Sequence, residues 1–305
     1  MKARDTVSPI LLFVFARPEH TKRTLDALAM NVLAGESDLI VYSDAARNEK
    51  EAVFVNQVRE IVLNAQGFRT VTVIERQSNY GLARNIIEGV TDICKQYGRV
   101  IVLEDDLVTS PEFLTFMNDA LDHYEHEKKV WHISGWNYPI DVDQLGDAFF
   151  LRVMNCWGWA TWGNRWEYFE KDTEKLVSEF DKKMIREFDL NDSGVFWSQV
   201  LLNHQNKINT WAIYWYATIF KNGGLCLNPA ISYIDNIGHD GSGTHGSRSS
   251  DVYSATLNMS RTNIFPSQLI ENELAIKKII SFYKDIKPTI LNRVQNRIKK
   301  VLKKQ

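Results

Sequence analysis

The sequence predicts an α/β protein, a mostly parallel central sheet with helices on both faces, followed by a C-terminal amphipathic helix. Three observations carry this. In the first half, short apolar or β-branched runs alternate with segments whose apolar residues recur every three or four positions. A polar cluster stands just past the end of each run. At 305 residues the chain can bury about 75% of the surface its unfolded form exposes, so a large core forms without staples.

The elements follow in order. Residues 10–15 are wholly apolar, as in a strand buried on both faces. Pro18 suits a first helical turn, and Leu25, Leu28 and Ala29 lie at helical spacing in 21–33. Residues 38–43 read as a second strand ending at Asp44. Residues 51–65 set Val55, Val58, Ile61 and Val62 on one helical face. Residues 70–75 are β-branched and form a third strand. Gly81 precedes a helix to about Tyr97, and 99–103 is a fourth strand running into Glu104, Asp105 and Asp106. Thr109-Ser110-Pro111-Glu112 reads as the start of the next helix.

From Trp131 the strand-like pieces shorten, and all nine tryptophans lie at or after that residue. Residues 171–188 read as one charged, exposed helical segment, 190–194 as a turn, and the glycine-rich 236–250 as a long loop. One unit is expected over 1–260, with halves of about 8–130 and 131–260. A helical tail follows over 261–305.

Composition removes several function classes. A net charge of −2 argues against a nucleic-acid binder that relies on whole-surface charge. Three scattered cysteines fit reduced thiols in a cytoplasmic protein rather than a disulfide framework or a zinc site. Neither a leader nor a run near the ~20 apolar residues of a spanning helix is visible, so a soluble or peripheral protein is expected.

In parallel sheets ligands bind beyond the carboxyl ends of the strands. Arg17, Asp44, residues 76–81 and Glu104-Asp105-Asp106 all lie there. Three adjacent carboxylates at a strand end repel one another and lose solvation when buried, so a positive partner is expected. A hard divalent cation, Mg²⁺ or Mn²⁺, holding a substrate diphosphate would serve. The same acids would also suit an ordinary helix-capping turn.

The strand-end Arg17, Asp44 and the Glu104-Asp105-Asp106 triplet resemble the GT-A (Rossmann-like) nucleotide-sugar glycosyltransferases, in particular the N-acetylglucosaminyltransferase I type, whose metal motif is also Glu-Asp-Asp. Asn79-Tyr80-Gly81-Leu82-Ala83-Arg84-Asn85 is similar to the Asn-x-Gly-x-x-x-Asn region of glycosyltransferase family 2. Bacterial surface-polysaccharide transferases also carry the Trp157-Gly158-Trp159-Ala160-Thr161-Trp162 pattern and the stretch from Asn236 to His245. The resemblance spans about residues 8–250.

The resemblance implies donor-side roles for Arg17, Asp44, Asn79, Gly81, Arg84, Glu104, Asp105 and His245, and makes Asp106 the direct ligand of Mn²⁺ or Mg²⁺. Arg17 would meet base or diphosphate, Asp44 the base or ribose, Asp105 the ribose, and Glu104 the donor sugar hydroxyls. Arg84 also suits a plain helix surface. His245 would close over the diphosphate or complete the metal shell, whereas His239 reads as packing. Trp159 or Trp162 would wall an acceptor subsite, although Trp at this density is also ordinary core. The catalytic base of an inverting transfer is open. Where the related pattern places an Asp after a Trp, this chain has Trp211-Ala212, which leaves Asp192 and Asp240 as candidates.

The expected function is transfer of a sugar from a nucleotide diphosphate-sugar, UDP-sugar favoured, to a glycan or lipid-linked glycan in O-antigen or capsule synthesis. The rivals are a carbohydrate-binding or inactive scaffold and a sugar nucleotidyltransferase, which would want an early Gly/Lys-rich phosphate loop. A glycoside hydrolase needs two opposed carboxylates. Residues 286–302 carry Ile286, Ile290, Val294, Ile298 and Val301 at helical spacing. Seven Lys and Arg lie at 287–304, with no acid after Asp285. This tail at 286–305 suits either the anionic inner face of a membrane or docking on the body.

Overall fold

The computed structural model describes residues 7–191, 193–240, 251–254 and 256–286. Its first half is β1 (Ile10–Val14), α1 (Pro18–Ala29), β2 (Asp38–Ser43), α2 (Glu49–Leu63), β3 (Thr70–Glu75), α3 (Leu82–Tyr97) and β4 (Arg99–Glu104). These strands pair in parallel in the order β3-β2-β1-β4. The helix ends follow local chemistry. Pro18 opens α1, the Asn48 side chain accepts from Glu51 N to cap α2, and left-handed Gly98 closes α3.

The second half adds β5 (Leu107–Thr109), α4 (Phe113–His123), β6 (Val130–Ser134), β7 (Ala148–Leu151) and β8 (Trp159–Trp162). Five helices follow: α5 (Gly163–Trp166), α6 (Thr173–Glu179), α7 (Lys182–Phe188), α8 (Trp197–His204) and α9 (Ala212–Lys221). The chain then runs through β9 (Leu225–Pro229), β10 (Ile234–Asn236) and α10 (Glu273–Ile286). The central sheet continues as β4-β8-β6-β9-β7. Strand β8 is antiparallel to β4 and β6, β9 is parallel to β6, and β7 closes the edge antiparallel to β9. Six described strands therefore run one way and two against them. Every residue of β1, β6, β7, β8 and β9 is buried, so both faces are covered.

Two expectations change. The expected helix over 171–188 is two helices, α6 and α7, separated at Phe180. That residue is extended, buried and stacked on Trp197, while the Asp181 side chain caps α7. Thr109 does not cap a helix. It ends β5, which pairs antiparallel with β10 in a separate two-stranded sheet, and α4 starts only at Phe113.

The described part of the expected tail docks on the body. Arg152 pairs with Glu271 at 2.6 Å, and α10 buries Ala275, Ile279 and Tyr283, whose hydroxyl donates to that of Tyr138 at 2.8 Å. The basic stretch beyond Ile286 lies outside the described residues. Among the described residues no helix is long and apolar enough to cross a membrane.

A histidine lies inside the sheet. Trp215 Nε1 donates to His132 Nδ1 at 3.2 Å, and His132 Nε2 lies 3.0 Å from the Asn155 carbonyl. Nδ1 must accept, so Nε2 carries the proton and a second proton has no place. Burial pulls the His132 pKa down to about 3, only partly offset by the Asn155 carbonyl. Below pH ~6.5 the unfolded chain takes up a proton here that the folded chain refuses. We expect stability to fall from pH 6.5 towards 5, by up to about 1.4 kcal/mol per unit from this residue. Urea unfolding of wild type and His132→Gln across that range checks it, and the variant should show the shallower slope.

Candidate active site

From β1 the sheet order runs outwards through β2 and β3 on one side and starts again at β4 on the other. The crevice beyond the carboxyl ends of β1 and β4 is thus the topological switch point, where α/β sheets bind ligands. Arg17 follows β1 there, and Glu104 is the last residue of β4.

Arg17 forks across the acidic turn. Its Nη1 donates to Asp106 Oδ2 at 2.9 Å, and its Nη2 pairs closely with Asp105 Oδ1. Asp105 is 3% exposed, and its Oδ2 accepts from Phe15 N at 3.3 Å. Its carbonyl accepts from Thr24 Oγ1 at 2.9 Å. Asp105 is therefore tied into the β1–α1 connection. Asp106 lies at the rim, its side chain 15% exposed.

One guanidinium offsets three carboxylates. Burial, then Asp106 and Asp105, push Glu104 up to about 8. Burial also raises Asp105, partly offset by Arg17. For Arg17, burial works downward, but the pull of Asp105 and Asp106 holds its pKa above the ordinary value. Cys156 stands close by: burial first, then Glu104, push its thiol up to about 12.

Neighbouring strand ends supply the other expected residues. Asp44 N donates to Val14 O at 3.2 Å, which sets the Asp44 turn against the end of β1. The Asp44 carboxylate accepts from Ala45 N, Tyr80 N and Gly81 N, each at 2.9 Å. Asn79 Nδ2 donates to Ala45 O at 2.7 Å. Asp44 and Asn79 thus hold two loops together, and Gly81, at φ 71°, turns the chain into α3. Arg84 lies on the helix surface, paired with Glu88 at 2.6 Å and stacked 3.8 Å over the Tyr80 ring.

The β5–β10 pairing brings the first residues of the expected late loop, Asn236 to Gly238, to the acids. Ile237 N donates to Asp106 O at 2.9 Å. Gly238 packs so closely that an added Cβ would stand 2.1 Å from Asp106 Oδ2. A ring cluster lies beside it: Trp157 meets His239 edge-on at 5.3 Å, and His239 stacks on Tyr253 at 5.9 Å.

Trp159 and Trp162 are core, which corrects their expected place in a cleft. Trp159 is 1% exposed, between His132, Trp166 and Trp211. Trp162 pairs with Arg99 at the opposite end of β4 from the acids, and its indole donates to Leu121 O. The rings near the acids, Trp136 and Trp157, stand just outside the strands and were not singled out from the sequence. Their signal was position relative to Gly135 and Gly158. Asp192, His245 and the Asp240 side chain lie outside the described residues, and α9 opens at Ala212.

The GNT-I family profile matches residues 1–150, just under half of the chain, and covers the crevice described above. This match and the mixed, mostly parallel sheet bear out the expected resemblance to GT-A nucleotide-sugar glycosyltransferases and the expectation of a glycosyltransferase. No curated protein sequence matches the chain. Solved structures with a similar chain path include the Pyrobaculum calidifontis mannosyltransferase PcManGT in complex with GDP-Man and Mn²⁺, at 10% identity and TM-score 0.38, covering 73% of this chain and 72% of that one. Residues 1–349 of S. aureus TarS align at 12% identity and TM-score 0.40, over 76% of this chain and 61% of that one. A UDP-glucose pyrophosphorylase complexed with UDP-glucose aligns at 11% identity and TM-score 0.35, over 73% and 90%.

The two members of the Arg17–Asp106 pair should behave differently on truncation. Arg17→Ala strands the buried Asp105 charge and is expected to cost about 3 kcal/mol. Asp106→Ala removes a rim carboxylate and relieves repulsion on Glu104, so its change should stay within about 1 kcal/mol. Urea denaturation of both variants at pH 7 measures the contrast.

Proposed function

We propose that this chain transfers a sugar from a nucleotide diphosphate-sugar to a glycan acceptor in the β1/β4 crevice, with inversion and with a divalent cation. The setting we favour is bacterial surface polysaccharide synthesis, O-antigen or capsule. The observation that carries the reading is the Arg17 fork over an acidic turn whose negative charge exceeds its countercharge, at the switch point. An anionic donor would bind there only together with further positive charge.

The donor set fits a hard cation. Asp106 Oδ1 and both Glu104 oxygens have no hydrogen bond among the described residues, and the donors are all oxygens. Among those residues no three Asp, Glu, His or Cys side chains converge to enclose a metal, so Asp106 would share it with phosphate oxygens and water. When bound, Mg²⁺ or Mn²⁺ would neutralise the departing diphosphate.

The chain's own groups would do the rest. Arg17 can pair a phosphate with the nitrogen that now meets Asp106 while its other nitrogen keeps Asp105 neutralised. The turns held by Asp44 and Asn79 would shape the nucleotide end. Glu104, pushed up to about 8 by its burial and then by Asp106 and Asp105, would meet a sugar hydroxyl, donating when protonated and accepting when ionised. The acceptor hydroxyl gives its proton to a carboxylate. Asp240 suits this better than Asp192, because it follows Gly238 and His239 beside Asp106. A lipid-linked acceptor would suit a cytoplasmic enzyme held at the inner membrane face by the basic residues 286–305.

Calorimetric titration of UDP, GDP and CDP, with and without Mn²⁺, tests the reading. One nucleotide, UDP by preference, should bind with Mn²⁺, and either Asp106→Ala or omission of metal should weaken it at least about tenfold, a difference of ~1.4 kcal/mol. Absence of binding by folded protein would overturn the reading. Gly238→Ala should match Asp106→Ala in that titration while remaining folded by circular dichroism, since the added methyl must push the Asp106 carboxylate aside.

A further inference from the structure

We infer that the ring cluster of Trp136, Trp157, His239 and Tyr253 is the donor-sugar pocket, and that the Trp136 indole N–H reads one hydroxyl of that sugar. This deepens the transfer reading proposed above and rests on it. Placement comes first. Trp136 lies two residues past the end of β6, and Trp157 two residues before β8 begins. Strand β6 runs with β4 and β8 runs against both, so the two indoles share the sheet edge that carries Glu104 and Asp106. Gly135 N donates to Gly158 O at 2.6 Å, which locks the two turns side by side. From the other side Gly238 presses on Asp106, and His239 follows it in the chain, its ring against Trp157.

The rings form a continuous wall. Trp136 meets Trp157 edge-on at 4.7 Å and lies 6.4 Å from Tyr253, while Trp157 is 5.9 Å from Tyr253. Aromatic walls suit the C–H faces of a pyranose, and polar atoms at their rims suit its hydroxyls.

Unused hydrogen-bonding capacity points to the ligand. Trp136 is 3% exposed, yet its Nε1 has no hydrogen-bond partner among the described residues. His239 Nε2 is buried and equally without one. Four other buried indoles are satisfied: Trp131 donates to Lys128 O, Trp162 to Leu121 O, Trp166 to Thr91 Oγ1 and Trp215 to His132 Nδ1. An indole N–H can only donate, and a buried donor left unpaired destabilises the protein that carries it. Its natural complement is an oxygen brought in from outside, and a sugar one bond beyond a diphosphate at Asp106 supplies hydroxyl oxygens at this edge.

The test is calorimetry in Mn²⁺ on wild type, Trp136→Phe and His239→Phe. The probes are UDP, GDP, UDP-glucose, UDP-galactose, UDP-N-acetylglucosamine and GDP-mannose. Trp136→Phe keeps the ring and removes only the N–H. It should leave the Kd of the free nucleotide diphosphate within about twofold and weaken the preferred nucleotide-sugar about five- to tenfold, the size of one lost hydrogen bond. His239→Phe should act in the same direction. The melting temperature of Trp136→Phe without ligand should not fall, since no bond of the free protein is lost. Equal effects on nucleotide and nucleotide-sugar, or no effect on either, would overturn the inference while leaving the transfer reading in place. If wild type binds none of the six, nor CDP, the transfer reading itself fails and the inference with it.

Discussion

Three consecutive carboxylates at the end of a buried strand are a constraint to which the surrounding structure answers. Arg17 neutralises part of the charge, and it can do so because β1 and β4 are neighbours, which places the residue after one strand opposite the acids after the other. Asp105 is drawn inward by the Phe15 amide and by Arg17, and this leaves Asp106 at the rim. The division of labour follows from the turn between β4 and β5 that holds both residues: one acid secures it from within, and the next is presented at its rim.

The late part of the chain completes the edge. Strand β10 pairs with β5 directly behind the acidic turn, and the backbone at 237–238 closes on Asp106. Here a side chain at 238 would collide with the carboxylate, so glycine is required by close approach rather than by φ. Deeper in, Trp159, Trp166, Trp211 and Trp215 pack around the fixed imidazole of His132. This aromatic core supports β6 and β8, and so fixes the turns that carry Trp136 and Trp157.

Much of the first half was legible in the sequence, because strands buried on both faces are continuous apolar runs and the helices between them have clear periodicity. The runs at 38–43 and 70–75 match β2 and β3 to the residue. Strands β5 and β10 were not legible. At three residues each they show no period, and Thr109 followed by Ser110 and Pro111 imitates a helix start. The crevice was legible as a set of strand ends, but which acid is held inward was not, since Asp105 and Asp106 are alike in kind and differ only in their place in the turn. Trp159 and Trp162 misled for a related reason. Composition cannot tell a ring inside a strand covered on both faces from one just beyond its end, and only the latter, as with Trp136 and Trp157, reaches the crevice edge.

The pairing of Leu107 with Asn236 also sets the order in which the edge can be built. During synthesis at about 5–20 residues per second, the β1–β4 half emerges well before β10 exists. In that interval the acidic turn has Arg17 but no closing backbone at Gly238. A chain that ends before β10 would thus lack a finished rim. A ligand that needs that rim can be held only once β10 is in place, by the whole fold rather than by the β1–β4 half.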